Sequence, residues 1–326
     1  MKVLVLGGAG YIGSHICKQL HLKGHEVVVF DNLSTGHAEA VKWGELVVGD
    51  ILNPSDCDSI FTKHGDFDLV MHFCAKSLVG ESVQDPASYY RNNVLGTLNV
   101  LNAMVKNGHN KLVFSSTAAV FGIPGVDKID EQHARNPINP YGQSKKMVED
   151  ILKDYYHAYG LKSVSLRYFN ACGADPDAEI GERHDPETHL IPNILKSLVD
   201  PQAKKLKVFG SNYPTPDGTC VRDYIHINDL ANAHMQAGDY LDSHKGAFTF
   251  NLGNGSGFSV LEVIQAAERV VGQTIEYDIE LPREGDPAIL VADAALANQE
   301  LGWQPLYEDI QDIIMTAWRW HQNEAF

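Results

Sequence analysis

The sequence has few cysteines, few basic residues and no long apolar segment. Its 5 cysteines are odd in number and form no CxxC pair, so neither a disulfide scaffold nor a metal site is expected, and a reducing cytoplasm fits. Lys and Arg number 26 against 42 Asp and Glu, a net charge of −16, which argues against nucleic acid or anionic membrane as a partner. No apolar run has the length of a membrane span, and no leader precedes the first strand-like segment. We therefore expect a cytoplasmic protein.

The first thirty residues are typical of a dinucleotide site. An apolar strand over 2–6 enters a glycine-rich turn, and a helical pattern follows. In such a turn Gly7 permits the tight bend, Gly10 lets the backbone approach a pyrophosphate, and Gly13 lets the helix pack on the strand. The helix then offers free N–H groups to the phosphates. A second strand ends in Asp31, whose carboxylate hydrogen-bonds the adenosine ribose and repels a 2′-phosphate. The pattern predicts NAD rather than NADP.

A tyrosine and a lysine four residues apart, Tyr141 and Lys145, follow Pro140. This spacing puts both side chains on one face of a helix, and Pro140 suits the first helical position. A nearby positive charge lowers the pKa of an ionisable group by roughly 1–3 units, which here produces a proton acceptor. A tyrosine and a lysine four residues apart are usually just helix surface, so it is the dinucleotide signature that indicates catalysis.

Strand-like and helical segments alternate through the first half of the chain, with long helices predicted over 86–106 and 141–159. Apolar strands separated by helices indicate a parallel sheet covered on both faces. We predict an α/β fold, a Rossmann-type doubly wound parallel sheet with a smaller C-terminal α/β substrate-binding domain. The NAD-binding domain would comprise 1–170 plus about 222–253, and the second domain about 171–221 plus 254–326.

Several motifs along the whole chain resemble those of the extended short-chain dehydrogenase/reductases, and most closely those of the UDP-glucose (UDP-galactose) 4-epimerases. The resemblance rests on Gly7–Gly13, Asp31-Asn32-Leu33, Gly49-Asp50-Ile51, His72-Phe73, Val79-Gly80-Glu81-Ser82, Asn92-Asn93-Val94-Leu95-Gly96-Thr97, Ser115-Ser116-Thr117, Tyr141 with Lys145, Leu166-Arg167-Tyr168-Phe169-Asn170, Val221-Arg222-Asp223-Tyr224-Ile225-His226 and Arg283-Glu284-Gly285-Asp286. Many of these occur in several sugar-nucleotide enzymes. One combination of motifs is more particular to the 4-epimerases. It consists of the run that ends at Asn170, followed by Gly173-Ala174-Asp175-Pro176 and Ile180-Gly181-Glu182.

The resemblance implies a reaction that interconverts UDP-glucose and UDP-galactose. Tyrosinate at Tyr141 would take the sugar 4-hydroxyl proton while C4 gives its hydride to NAD, and the 4-keto sugar would turn over and regain the hydride on its opposite face. NAD would stay bound as a prosthetic group. Lys145 would hold the nicotinamide ribose and lower the Tyr141 pKa, and Thr117 would bridge the sugar oxygen and the tyrosine. From sequence alone, Thr117 is also compatible with a strand-end cap.

The resemblance also implies two sets of binding residues. The NAD set is Gly7, Gly10, Tyr11, Ile12, Gly13, Asp31, Asn32, Asp50, Ile51, Phe73, Cys74, Ala75, Asn92, Ser115, Tyr141, Lys145 and Tyr168. The nucleotide-sugar set is Thr117, Tyr141, Asn170, His189, Leu190, Phe209, Arg222, Arg283, Asp286 and Leu290. The two arginines would hold the pyrophosphate in bidentate fashion, although a salt bridge from Arg222 to Asp223 is an alternative.

Two positions depart from the family pattern. His189 stands where some members have Asn, and Ser77 stands where some relatives have a cofactor-contacting lysine. Leu290 matches a position beside the C2 and C6 substituents of the sugar, where a bulky tyrosine excludes N-acetyl sugars and a small residue admits them; a core role for Leu290 is the alternative.

Other functions stay open at this stage. A 4,6-dehydratase needs an Asp-Glu pair directly after the threonine, whereas Ala118 and Ala119 follow Thr117. A UDP-GlcNAc 4-epimerase, or a uronate epimerase or decarboxylase, would share the same motifs. A protein that binds NAD without turnover typically lacks the tyrosine or the lysine. The family pairs the helices matching 86–106 and 141–159 across a two-fold axis, which implies a homodimer.

Overall fold

The computed structural model describes residues 1–126, 128–200, 205–283 and 286–323. The strands are β1 (Lys2–Leu6), β2 (Glu26–Asp31), β3 (Glu45–Val48), β4 (Leu69–His72), β5 (Lys111–Thr117), β6 (Lys162–Tyr168), β7 (Asn170–Cys172), β8 (Leu206–Phe209), β9 (Val221–Arg222), β10 (Tyr224–His226), β11 (Ala247–Leu252), β12 (Phe258–Ser259), β13 (Tyr277–Glu280) and β14 (Ile289–Leu290). The helices are α1 (Tyr11–Leu22), α2 (Pro54–His64), α3 (Val79–Gln84), α4 (Pro86–Tyr89), α5 (Thr97–Lys106), α6 (Pro140–Tyr159), α7 (Leu190–Val199), α8 (Ile227–Ser243), α9 (Val260–Val271), α10 (Ala295–Leu301) and α11 (Ile310–Gln322).

The centre of the fold is a seven-stranded sheet in the order β11-β6-β5-β4-β1-β2-β3. All of its neighbouring strands run parallel. Strand β1 lies between β2 and β4, so the direction of winding reverses beside it and a ligand crevice forms at the carboxyl ends of the strands. The predicted Rossmann-type doubly wound sheet is confirmed.

Helices cover both faces of this sheet, which explains why β1 is apolar at successive positions. Val3 and Val5 face a core built with α1 and α8, whereas Leu4 and Leu6 face a second core built with α2, α5 and α6. A strand buried on both faces cannot alternate between apolar and polar residues.

The helix predicted over 141–159 is confirmed as α6. Asn139 caps its start by accepting a hydrogen bond from the Gly142 N–H at 2.8 Å, and Pro140 occupies the first turn. Gly160, at φ 70°, ends the helix in the left-handed conformation that suits glycine.

The helix predicted over 86–106 is not uniform, because residues Tyr90–Gly96 adopt π-helical geometry between α4 and α5. Within that segment the buried Asn93 side chain donates to the Lys76 carbonyl and to Ser144 Oγ, both at 3.0 Å, and its Oδ1 accepts from the Lys76 N–H at 2.9 Å. Three tertiary hydrogen bonds therefore favour the wider turn, and π segments of this kind occur often at functional sites.

A third apolar core lies among α7, α9 and α11. Two small sheets accompany it: β8 pairs with β13, and β9 pairs with β12 and β14. The long loop predicted over 171–189 begins with β7, which pairs with β10. The division into two domains stays a prediction. Of the helices within the described ranges, none is long and apolar enough to cross a membrane.

Candidate active site

The glycine loop joins β1 to α1 beside the reversal point of the sheet. A Cβ atom on Gly7, at φ 82°, would lie 2.8 Å from the backbone of Phe73 and of Cys74, and one on Gly13 would lie 2.2 Å from the Gly7 carbonyl oxygen. A Cβ on Gly10 would meet only Gly7 O within 4 Å among the described residues, at 3.4 Å. Gly7 and Gly13 thus serve the packing of the loop, while Gly10 leaves room for a ligand.

Asp31 ends β2 and closes the glycine loop. Its Oδ2 accepts a hydrogen bond from the Ala9 N–H at 3.0 Å, and its Oδ1 accepts one from the Leu33 N–H at 2.8 Å. Burial raises the pKa of the Asp31 carboxyl, and these two N–H groups act to lower it. Each carboxylate oxygen accepts more than one hydrogen bond, so Asp31 can hold the loop and still receive ribose hydroxyls.

Other residues of the predicted NAD set lie along the same edge of the sheet. The Asn32 side chain donates to Asp50 at 3.3 Å, and Ile51 is buried beneath the π-helical segment that carries Asn92. Phe73, Cys74 and Ala75 follow β4 directly. These placements put the predicted residues at the carboxyl ends of β2, β3 and β4.

Tyr11 and Ile12 form the first turn of α1, and their side chains face the protein. The Tyr11 hydroxyl donates to the Gly173 carbonyl at 2.6 Å, and Ile12 packs against the core between α1 and α8. The α1 N-terminus, at Gly10, has no side-chain cap from the described residues. The backbone N–H groups of this turn, rather than its side chains, therefore suit a phosphate.

A basic residue that the motifs did not indicate lies in the same cleft. Arg183 lines it together with Gly10, Thr35, His37 and His184. A guanidinium suits a pyrophosphate both in charge and in hydrogen-bond geometry. The only sequence signal for this role is one arginine within the acidic run 171–189. The glycine loop, Asp31 and Arg183 together fit a dinucleotide with two phosphates.

Thr117 and Tyr141 meet where β5 and α6 converge. Thr117 is the last residue of β5, and a short 3₁₀ turn, Ala118–Val120, follows it. A Cβ on Gly142 would lie 2.4 Å from the Ala119 carbonyl oxygen, so only glycine lets the first turn of α6 pack this closely on the 3₁₀ turn. Gly142 therefore brings its neighbour Tyr141 to Thr117.

The Thr117 hydroxyl fills both roles that the sequence left open, the cap of the strand end and the contact with Tyr141. It accepts a hydrogen bond from the Ala119 N–H at 3.1 Å, as a cap. Burial raises the pKa of Tyr141, and a hydrogen bond with the Thr117 side chain acts to lower it. The hydroxyl is thus a cap and a partner of the tyrosine at once.

Lys145 lies one helical turn beyond Tyr141 and is 2 % exposed. Its Nζ donates to the Ser115 carbonyl at 2.7 Å, and burial lowers its pKa to about 7. The causes of the shift in the Tyr141 pKa are burial and the Thr117 side chain. The lowering of the Tyr141 pKa by Lys145 stays a prediction.

Ser115 and Tyr168, both predicted to contact NAD, are hydrogen-bonded to each other through their hydroxyls. They lie at the adjoining carboxyl ends of β5 and β6, where Thr117 is in register with Tyr168. Burial raises the pKa of Tyr168, as it raises that of Tyr141.

A buried ion network lies directly beneath these residues. Glu149 accepts hydrogen bonds from Ser116 Oγ at 2.6 Å, from Arg167 Nε at 2.8 Å and Nη2 at 2.6 Å, and from Arg135 Nη1 at 3.0 Å. Ser116 precedes Thr117, and Arg167 precedes Tyr168, so the network braces the two strand ends against α6. The sequence signal for Glu149 is an acid on the apolar face of α6, beside Val148 and Leu152.

The predicted nucleotide-sugar residues gather around β8, β9 and β14. Arg222 forms a salt bridge with Asp286, and the Arg283 guanidinium lies 4.1 Å from the centre of the Phe209 ring. In the motif that contains Arg283, Glu284 and Gly285 lie outside the described residues. Two guanidinium groups thus lie on one side of the substrate region, as a diphosphate requires.

The alternative salt bridge from Arg222 to Asp223 is wrong. The Asp223 carboxylate is fully buried and accepts backbone N–H groups from Asn254 at 2.7 Å and from Gly255 and Ala292 at 3.0 Å. Hydrogen bonds from several backbone N–H groups stabilise the charged form of a carboxylate without a cation beside it. Arg222 is left for Asp286 and for a ligand.

Three further candidates occupy the same region. The Asn170 side chain donates to the Asp223 carbonyl at 2.8 Å. Leu290 is in register with Arg222 and packs, half-buried, against the small core of Val120, Phe121 and Ile129. His189 immediately precedes Leu190, the first residue of α7, and its Nδ1 contacts Glu182.

Comparison with known proteins places the chain among sugar-nucleotide enzymes. The model of the NAD dependent epimerase/dehydratase family matches residues 3–253. A UDP-glucose 4-epimerase of Rhizobium meliloti (strain 1021) is 49% identical over 322 residues, which are 99% of this chain and 97% of that protein.

Solved structures agree with these matches. The UDP-glucose 4-epimerase of Brucella ovis in complex with NAD is 48% identical with a TM-score of 0.94, over 98% of this chain and 97% of that one. That of Bifidobacterium longum in complex with NAD+ and UDP is 38% identical with a TM-score of 0.94, over 99% and 98% of the two chains.

Proposed function

The chain belongs to the NAD dependent epimerase/dehydratase family, and from this premise we propose that it is an isomerase that interconverts UDP-glucose and UDP-galactose with bound NAD. The observation that carries the proposal is the hydrogen-bonded pair of Thr117 and Tyr141 above the buried Lys145, at the strand ends that adjoin the glycine loop. An acid–base group and a dinucleotide site on one sheet edge are what transient oxidation of an alcohol needs.

The residues divide the work by position. NAD, when bound, takes a hydride from sugar C4 and returns it to the opposite face. Tyr141 accepts and returns the proton of the 4-hydroxyl, and Thr117 holds the tyrosine oxygen and the sugar oxygen together. Lys145, buried near the Ser115 carbonyl, is placed to bind the nicotinamide ribose. The backbone at Gly10 and the Asp31 carboxylate hold the pyrophosphate and the adenosine ribose.

On the substrate side, Arg222 and Arg283 would bind the diphosphate of the UDP-hexose. Since Arg222 already pairs with Asp286, the diphosphate joins or replaces that carboxylate. Asn170, His189, Leu190, Phe209 and Leu290 are proposed to surround the uridine and the sugar. A 4,6-dehydratase is disfavoured because Ala118 and Ala119 occupy the 3₁₀ turn where elimination needs acids.

We expect the purified protein to convert UDP-galactose to UDP-glucose without added NAD, because no net oxidation occurs and the cofactor stays bound. Product analysis of the sugar nucleotides measures the conversion, and denaturation followed by assay of the supernatant measures the NAD released. Near-stoichiometric NAD with no UDP-glucose formed would indicate a binding protein without turnover. Turnover of only UDP-GlcNAc or UDP-uronates would support the alternative substrates, and release of NADP would contradict the role of Asp31.

The width of the sugar site is expected to depend on Leu290. Its side chain is half-buried, and Leu290 is the register partner of Arg222 in the pair of β14 and β9. Leucine is intermediate in size between tyrosine and a small residue. N-acetylated substrates should therefore turn over about 10–200-fold less efficiently in kcat/KM than UDP-glucose and UDP-galactose. Leu290→Tyr should abolish the acetylated activity and spare the other pair, as measured by kcat/KM on both.

The matched control is Leu281→Tyr, because Leu281 is 84% exposed and the same change there should leave the ratio of the two activities unchanged. Equal efficiency of the native enzyme on both substrate pairs would show that Leu290 is a core residue rather than a gate.

We propose a homodimer that pairs the helical run 86–106 with α6 across a two-fold axis. The two elements contact within one chain, where the Tyr155 hydroxyl donates to Asn102 at 2.7 Å. They also expose the large apolar side chains of Leu95 (47%) and Met147 (38%), which a partner would cover.

Light scattering should give twice the mass of one chain, and Leu95→Glu with Met147→Glu should halve it. Leu281→Glu is the control, and a native monomer would contradict the proposal.

A cytoplasmic location is proposed as well. All five cysteines lie in described parts of the chain and are free thiols, as in a reducing compartment.

A further inference from the structure

Two histidines and two glutamates of the loop before α7 converge on one point. One ligand atom from each of Glu182, His184, Glu187 and His189 lies within 4.8 Å of all the others. His184 Nδ1 is 3.2 Å from Glu182 Oε1 and 3.8 Å from Glu187 Oε2, and His189 Nδ1 is 3.8 Å from Glu187 Oε1. His189 Nδ1 also contacts Glu182 Oε1. A tetrahedral site with metal–ligand distances of about 2.0–2.2 Å has ligand–ligand edges of roughly 3.4 Å, which lies between the 3.2 Å and 3.8 Å separations given above.

The two carboxylates are buried but incompletely satisfied. The side chains of Glu182 and Glu187 are only 4% and 5% exposed, whereas those of His184 and His189 are 33% and 51% exposed. Glu187 Oε2 and His184 Nδ1 have no hydrogen-bond partner within the described parts of the chain. Lys196 lies 3.7 Å from Glu187 Oε2, too far for a hydrogen bond. A buried carboxylate oxygen and a buried imidazole nitrogen that face each other without a hydrogen bond are what a missing common ligand leaves behind.

A second acidic cluster shows the contrast. Asp175, Asp177 and Glu179 are also close together, but the Lys18 ammonium lies among them, 2.7 Å from Asp175, 3.6 Å from Asp177 and 2.5 Å from Glu179. A lysine thus neutralises that cluster at close range. In the cluster before α7 the Lys196 ammonium stays 3.7 Å from Glu187 Oε2, and two imidazoles lie among the carboxylates. Neutral imidazole is a metal ligand.

We propose that Glu182, His184, Glu187 and His189 bind one divalent transition-metal ion, for which Zn²⁺ is the best match. Two imidazole nitrogens and two carboxylate oxygens form a mixed N/O tetrahedral set that suits Zn²⁺, and the two carboxylates neutralise its charge. Cysteine usage gave no indication of such a site, because its ligands contain no sulfur.

The position of the cluster suggests a structural role. His184 lines the cleft beside Gly10, and His189 starts α7 on the substrate side. An ion held by both would fix the loop that joins the proposed cofactor and sugar sites. It would take no part in the chemistry at Tyr141, although its ligand His189 is also one of the residues proposed to surround the uridine and the sugar.

The test is metal binding by the purified chain after treatment with a chelator, in its NAD-bound form. Titration with Zn²⁺ against a chromophoric chelator should give one site per chain. Co²⁺ should give the intense visible bands of a tetrahedral site without a thiolate charge-transfer band. His184→Asn with Glu187→Gln should weaken Zn²⁺ binding by more than about 10²-fold, since loss of outer-shell partners alone costs 10–100-fold.

Asp177→Asn with Glu179→Gln is the matched control and should bind Zn²⁺ like the native chain. Retained NAD and the circular dichroism of each variant report on folding. If the double variant does not fold, Glu187→Gln alone should still weaken binding at least tenfold. Absence of a site in the native chain, or binding that the ligand variants leave unchanged, would overturn the proposal and show that the cluster is an ion-pair network of protonated histidines.

Discussion

Replacing Tyr141 with phenylalanine is expected to lower kcat by at least about 10²-fold, because the phenol is the group proposed to exchange the proton of the sugar 4-hydroxyl. UDP-sugar binding should change little, so kcat and kcat/KM should fall together. Steady-state kinetics with UDP-galactose and a binding titration with UDP measure the two quantities. Burial raises the pKa of this phenol and the Thr117 side chain acts to lower it, and the positive charge of a bound oxidised nicotinamide would lower it further.

The control for this variant is Tyr156→Phe, on the same helix but 15 residues further along, about 22 Å along the axis. It makes the same chemical change away from the site and should retain native kcat. Near-native turnover by the Tyr141→Phe enzyme, with its NAD retained, would remove Tyr141 from the mechanism.

Glu149→Gln is expected to lower the free energy of unfolding by roughly 3–5 kcal/mol, because it breaks a buried ion pair and leaves an uncompensated cation. The Glu149 side chain is 0% exposed and that of Arg167 is 3% exposed, so water cannot replace the lost charge. The substitution keeps the shape of the side chain and therefore isolates the electrostatic change. Denaturant unfolding of the NAD-loaded proteins measures it.

Asp150→Asn is the matched control for the charge. Asp150 pairs with Arg135 at 2.6 Å, but its side chain is 48% exposed, and exposed pairs contribute about 0–1 kcal/mol. Equal losses from the two variants would show that the Glu149 network adds no more than a surface pair. A large loss from Glu149→Gln alone would establish that the strand ends beneath Thr117 and Tyr168 are held electrostatically.

Local patterns in the sequence were sufficient for the sheet and for the glycine loop. Strands buried on both faces must be apolar at successive positions, so their number and bounds are legible, and Gly7, Gly10, Gly13 and Asp31 are tied to their roles by spacing along one strand–turn–helix unit. Asn139 and Pro140 indicate the start of α6 in the same way. Each of these signals acts over a few residues along the chain.

Long-range contacts decided what the sequence left open. Whether Thr117 caps a turn or meets Tyr141 depends on Gly142 packing against Ala119, and Arg222 pairs with Asp286, 64 residues away, rather than with its neighbour Asp223. The π-helical turn around Asn93 likewise follows from partners in distant segments.

The sequence by itself determined the α/β class, the parallel sheet and the dinucleotide loop, and it named the candidates for the acid–base pair. Only the tertiary structure decided which partners satisfy the buried charges of Glu149, Asp223 and the Glu182 cluster. The physical reason is that strand and helix patterns arise from neighbours along the chain, whereas a buried charge is stabilised by whichever groups the folded backbone brings within hydrogen-bond reach.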